Sequence, residues 1–201
     1  LTLDWRLKAG DLFDSLGNED EQEIEKCFEV EKNLALEQIM KGFEDVIKNL
    51  PYPKYDETLE YLPDEYSAKD VEIFSLVLDK YQDIRLFFQS HAGHYLSGLI
   101  NKGSDDEFTI HTKHLEKLPN SIGLCNNEKK IIVRGNVDQY LGSDMSGGII
   151  IMNGDTGDCV GPEMTGGEIH LNGDYHLSDK IRGGNVYHKG RLIVKDGRLV
   201  E

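Results

Sequence analysis

Apolar residues recur at two different periods along this chain, and the change between them falls near residue 104. From Glu19 onward Ile24, Cys27, Phe28, Leu34, Ile39, Met40, Phe43, Val46, Ile47 and Leu50 stand mostly three or four apart. That spacing predicts an amphipathic helix, stopped by Pro51 and Pro53. Before it, the loose alternation Leu1, Leu3, Trp5, Leu7 predicts a short strand. The stretch to Pro63 reads as a loop packed down by Tyr52, Tyr55 and Tyr61. Ser67 and Asp70 are spaced as a capping box, with Asp in place of the usual Glu. Val71, Phe74, Val77, Leu78, Tyr81, Ile84, Leu86, Phe88 and Tyr95 then predict a second helix, bending near Gly93 and stopping near Gly103. Residues 1–103 thus read as an α-helical domain, a helical hairpin with its apolar stripes turned inward.

Beyond residue 104 the period becomes 19. Gly123, Gly142 and Gly161 keep that spacing, as do Gly135, Gly154 and Gly173, the pairs Gly147-Gly148 and Gly166-Gly167, and Met145 with Met164. A fixed period near 20 means one small unit stacked on copies of itself, a solenoid whose units bury their apolar faces only against each other. Four and two residues before the closing glycines stand Ile131 and Val133, Ile150 and Met152, Ile169 and Leu171. Alternation within each run predicts a strand with those residues inward. In the next unit, two residues shorter, the pair is Gly183-Gly184, the closing glycine is Gly190 and Val186 falls inward. Upstream the repeat is degraded, and Phe108 to His111 are the candidate strand of that coil. The glycines suit corners that need positive φ and backbones that stack closely. The run Arg191–Lys195, then Asp196-Gly197, then Arg198–Val200 predicts a type I′ hairpin as a C-terminal cap.

Outward positions on a wet face should be polar. Three residues before each closing glycine stand Ile132, Ile151, His170 and Tyr187 instead. An apolar row in register implies a cover, either the N-terminal helices, which is the favoured arrangement, or another subunit.

Charge sharpens this picture. Residues 1–120 hold 13 Lys and Arg against 26 Asp and Glu; residues 121–201 hold 9 against 11. So acidic a first half repels phosphate backbones and anionic bilayers, which argues against nucleic-acid or membrane partners. Three scattered cysteines without a CxxC pair argue against a disulfide framework and fit a reducing, cytoplasmic setting. Neither a signal-peptide pattern nor a membrane-spanning apolar run is seen.

The stretch Gly154-Asp-Thr-Gly-Asp-Cys-Val-Gly-Pro-Glu-Met-Thr-Gly-Gly-Glu-Ile169 resembles the GXGXG-motif repeat. That repeat forms the C-terminal domain of the glutamate synthase large subunit and one of the subunits of formylmethanofuran dehydrogenase. The resemblance covers roughly residues 120–195. It implies a right-handed parallel β-helix over 104–201 and a role as a structural spacer, with no catalytic residue to carry over.

Other chemistry is weakly signalled. His91 and His94 form one His-x-x-His pair and His111 and His114 another, but neither has a His-Glu-x-x-His context or a nearby Cys, so no metal and no cofactor is expected. Cys159 follows Asp158, which opposes thiolate formation, and reads as a small side chain filling a repeat position. The Gly-Asp loops precede strands rather than helices, unlike phosphate-binding loops. The expected function is a non-catalytic scaffold or accessory subunit that meets a protein partner, or a second copy of itself, through the β-helix face. The alternative is an enzyme or ligand-binding protein in which His91, His94 and His111 converge where helices meet solenoid.

Overall fold

The structure, a computed structural model, describes residues 34–84 and 86–200. The expected strand at Leu1–Leu7 and the helical positions Ile24, Cys27 and Phe28 lie outside them. Helix α1, Leu34–Asn49, buries Ile39, Phe43, Val46 and Ile47 on one stripe. Glu37 in its first turn and Lys48 in its last both suit the helix dipole.

The stretch expected to be a loop carries a short helix, α2 (Tyr55–Thr58), which passes into a 3₁₀ turn at Leu59–Tyr61. Ser67 then caps α3, Ala68–Leu76. Its side chain accepts from the Asp70 N–H, while the Asp70 carboxylate accepts from the Ser67 N–H at 2.8 Å.

The single helix expected from Val71 to Tyr95 is broken. Helix α3 gives way to a 3₁₀ turn at Leu78–Tyr81, and α4 begins only at Phe88, running to Lys102. The reason is a ring cluster. Phe74, Tyr81, Phe88 and Tyr95 repeat every seven residues, and all four pack on Phe43, with centroids 5.4, 5.2, 6.5 and 5.3 Å away. A straight helix would spread Phe74 and Tyr95 about 31 Å apart along its axis. Folding the chain between them lets four rings meet around a fifth. Helix α4 runs on through Gly93 without interruption. That glycine is there because the Asn120 carbonyl occupies the space a Cβ would take.

Strands β1 (Glu107–His111), β2 (Lys130–Arg134), β3 (Ile149–Asn153), β4 (Glu168–Leu171) and β5 (Asn185–His188) pair in chain order, all parallel. Their register stacks Phe108, Ile131, Ile150, Ile169 and Val186 in one inward row, and Ile110, Val133, Met152 and Leu171 in another, all fully or almost fully buried. This is the parallel β-solenoid that the repeat predicts. Two antiparallel strands close it, β6 (Arg191–Lys195) and β7 (Arg198–Leu199). Asp196 and Gly197 between them both have positive φ, 49° and 74°, as a type I′ turn requires.

The repeated glycines divide by cause. Gly142 and Gly161 turn corners at φ 67° and 70°, whereas Gly154 and Gly173 lie against the carbonyls of Gly135 and Gly154 in the preceding coil, where a Cβ would clash. The same corners hold residues other than glycine. Ser121, Tyr140 and Cys159 stand at φ 58–63°, and Cys125, Asp144 and Glu163 at 53–60°.

The helices meet the sheet at β1. The His111 N–H at the β1 edge donates to Ser75 Oγ of α3 at 3.0 Å, and the Ala68 N–H donates to Asp105 at 2.5 Å. A helix thus covers the strand edge that would otherwise invite pairing. Helix α4 grips the first corner: Ser97 Oγ donates to the Ser121 carbonyl and accepts from the Gly123 N–H, at 2.9 and 3.1 Å. One hydrophobic core runs from Ile39 of α1 to Val194 of β6. Among the described residues no helix is long and apolar enough to cross a membrane.

Candidate functional site

The three histidines expected at the junction take their contacts in two places. His91, on the buried face of α4, lies between two carbonyl oxygens, Phe87 O and Leu50 O, each 2.7 Å from a ring nitrogen. It ties the end of α1 to the start of α4. His94, one turn on, packs edge-on to Tyr55 with centroids 6.3 Å apart. Its Nδ1 is buried without a hydrogen-bond partner. Burial, and then the nearby His91, push its pKa down to about 4, so it stays neutral in neutral solution.

His111 ends β1, where Nε2 lies 3.0 Å from Glu72 Oε1 of α3. That hydrogen bond, helped by Lys69 and opposed by burial, holds the Glu72 carboxyl down at about 2. His114 lies near this pair. Burial pushes its pKa down, with Asp79 opposing and His111 assisting, and neither ring nitrogen has a partner. Among the described residues no three His, Cys, Asp or Glu side chains are grouped to hold a metal ion. The His111–Glu72 pair has the form of a carboxylate-oriented imidazole, but it is mostly buried and clamps α3 to the solenoid end.

Cys125 is exposed, yet partial desolvation, then Asp144 and Asp56, push its thiol pKa up. Cys159 is half-buried and occupies a corner of positive φ. A shallow groove of about 590 Å³ between α1 and the segment 60–65 is lined by Asp45, Glu60, Asp64, Glu65 and Lys41 among others.

The outward face of the solenoid brings its expected residues together. Ile132, Ile151, His170 and Tyr187 are direct neighbours across β2 to β5. The His170 and Tyr187 rings stack at 4.5 Å with planes 5° apart, and His170 Nε2 lies 2.9 Å from Glu168 Oε2. Thr109 of β1 and Leu192 of β6 extend the row to six strands. Sequence reading missed both, because Thr109 lies in the degraded coil and Leu192 beyond the last closing glycine. Every member of the row is half-buried, and the His170 side chain keeps 34% of its surface. Among the described helices, the extensive contact with the sheet is that of α3 with β1, at one end of the row. Beside it run Glu107 and Lys130, paired at 2.7 Å, then Ile149, Glu168 and Asn185.

No known protein family matches the chain, and no curated protein or solved structure does either.

Proposed function

We propose that this chain is a non-catalytic binding module, a scaffold or accessory subunit whose outward solenoid face docks a protein surface. The observation that carries this reading is the half-exposed row Ile132–Ile151–His170–Tyr187, held in register by the strand ladder and flanked by charged side chains. A flat, ordered strip with an apolar centre and a polar rim is how protein interfaces are built. The ladder fixes the backbone beforehand, so little conformational freedom has to be lost on docking. The resemblance to GXGXG repeats, which act as spacers between catalytic domains, points the same way.

Site-specific photocrosslinking tests it. A benzophenone side chain placed at Ile151 should form a discrete adduct in native extract, while the same group at the exposed corner residue Asp155 should not. Equal, diffuse labelling from both positions would refute the reading.

A further inference from the structure

We infer that the occupant of this face is a second copy of the chain, packed face to face about a two-fold axis that runs along the strands between β3 and β4. The inference rests on the docking-face reading above and adds the identity of the partner. Two observations carry it, and both concern order along the row.

The row divides by chemistry. Its β2 and β3 members are aliphatic, Ile132 and Ile151, and its β4 and β5 members are rings, His170 and Tyr187. An axis along the strands reverses the strand order of the partner. Ile151 then faces the second copy's His170, Ile132 faces its Tyr187, and Thr109 faces its Leu192. Each aliphatic side chain meets a ring, and the six-membered row covers itself completely. Such an interface is closed and self-complementary, as a two-fold pair must be.

Charge selects the same direction. Residues 34–120, which include the helices and β1, hold 9 Lys and Arg against 16 Asp and Glu, a net of −7. Residues 180–200, which form the hairpin end, hold 6 against 1, a net of +5. Reversal lays the acidic end of one copy on the basic end of the other, twice. Beside the row, Glu107 of β1 and Lys195 of β6 both project outward, because Phe108 and Val194 next to them point inward. They face each other across the pair. A two-fold axis across the strands would instead keep the strand order and lay acidic end on acidic end and basic end on basic end, which costs energy.

Size sets the strength. Six strands about 4.8 Å apart make the face about 24 Å long. At a width of four residues it stays below the roughly 800 Å² per partner of a standard interface. The pair is therefore weak and concentration-dependent, in the micromolar range.

Sedimentation equilibrium of the purified chain, from about 1 to 500 µM, spans that range. The mass should rise from one chain to two. Ile151→Lys should raise the dissociation constant at least about tenfold, with circular dichroism confirming the fold. Tyr187→Ser, at another half-exposed position, provides the same test should Ile151→Lys misfold. Glu107→Lys and Lys195→Glu should each weaken the pair about threefold, and the double variant should recover to within about twofold of the parent. A one-chain mass at every concentration overturns the inference, as does a dimer indifferent to Ile151→Lys and Tyr187→Ser or a double variant no better than its singles. If the chain stays single while the group at Ile151 crosslinks a different protein, the second copy is wrong and the docking face stands. If a dimer ignores the row and the crosslinks are diffuse, both readings fail.

Discussion

Glu72 illustrates how one side chain can fasten two kinds of structure. It projects from α3 and accepts from the His111 imidazole, whose own backbone N–H donates to Ser75 one turn along the same helix. The depressed Glu72 pKa makes this a pH-dependent bond. The carboxyl has an ordinary value of 4.5 and a folded value of about 2, so the unfolded chain binds the proton more readily. The stabilisation is complete above pH 4.5 and is lost as pH falls from there towards 2. A shift of this size corresponds to about 3 kcal/mol at most, and about 1–2 kcal/mol once solvent screening at a partly exposed site is allowed for. Glu72→Gln should therefore lower stability by that amount at pH 7, and the gap to the parent should narrow steadily at pH 4 and pH 3. Urea midpoints at the three pH values measure it; a gap that stays constant would mean the carboxylate charge is not what holds α3 to β1.

At the scale of elements, local signals and tertiary packing pull apart. The Ser67–Asp70 capping box was legible because both partners lie within one helical turn and answer only to the backbone beside them. Ser67→Ala should cost about 1 kcal/mol. Because α3 covers the β1 edge, it should also speed hydrogen exchange at the His111 amide more than at the Ile150 amide; equal effects at the two would separate the cap from the edge. The solenoid strands were legible for a related reason. Each coil repeats the one before, so Ile131, Ile150 and Ile169 announce one another at a spacing of 19. The break between α3 and α4 was not legible. Phe74, Tyr81, Phe88 and Tyr95 keep a heptad spacing that any reading of periodicity takes for one helix face, and only the presence of Phe43 from another element turns them into a cluster. The separation of His111 from His91 and His94 was hidden in the same way, since which side of the junction each faces depends on where α3 and α4 lie. The outward row was legible in four members because its oddness, apolar side chains at polar positions, is itself local.

From α1 to β6 the described residues share one core rather than being joined through a linker. Phe43 of α1 contacts the ring cluster, that cluster shares one core with Phe108 and Ile110 of β1, and the inward rows continue from there to Val186 and Val194. The helices serve as the first cap of the solenoid, the β6–β7 hairpin as the last, and neither end is independent of the stack between them. A lesion in the helical part should then weaken strands far from it. Phe43→Ala removes a fully buried ring that touches four others, and such truncations cost about 3–5 kcal/mol. If the core unfolds as one cooperative unit, native-state hydrogen exchange should show this loss at the slowest amides of β2 and β3 as fully as at those of α1. If β2 and β3 kept their protection while α1 lost its own, the solenoid would be a separate folding unit with the helices merely leaning on it. The proposed docking face depends on the first outcome, because a row spanning six strands stays in register only while the coils from β1 to β6 stand or fall together.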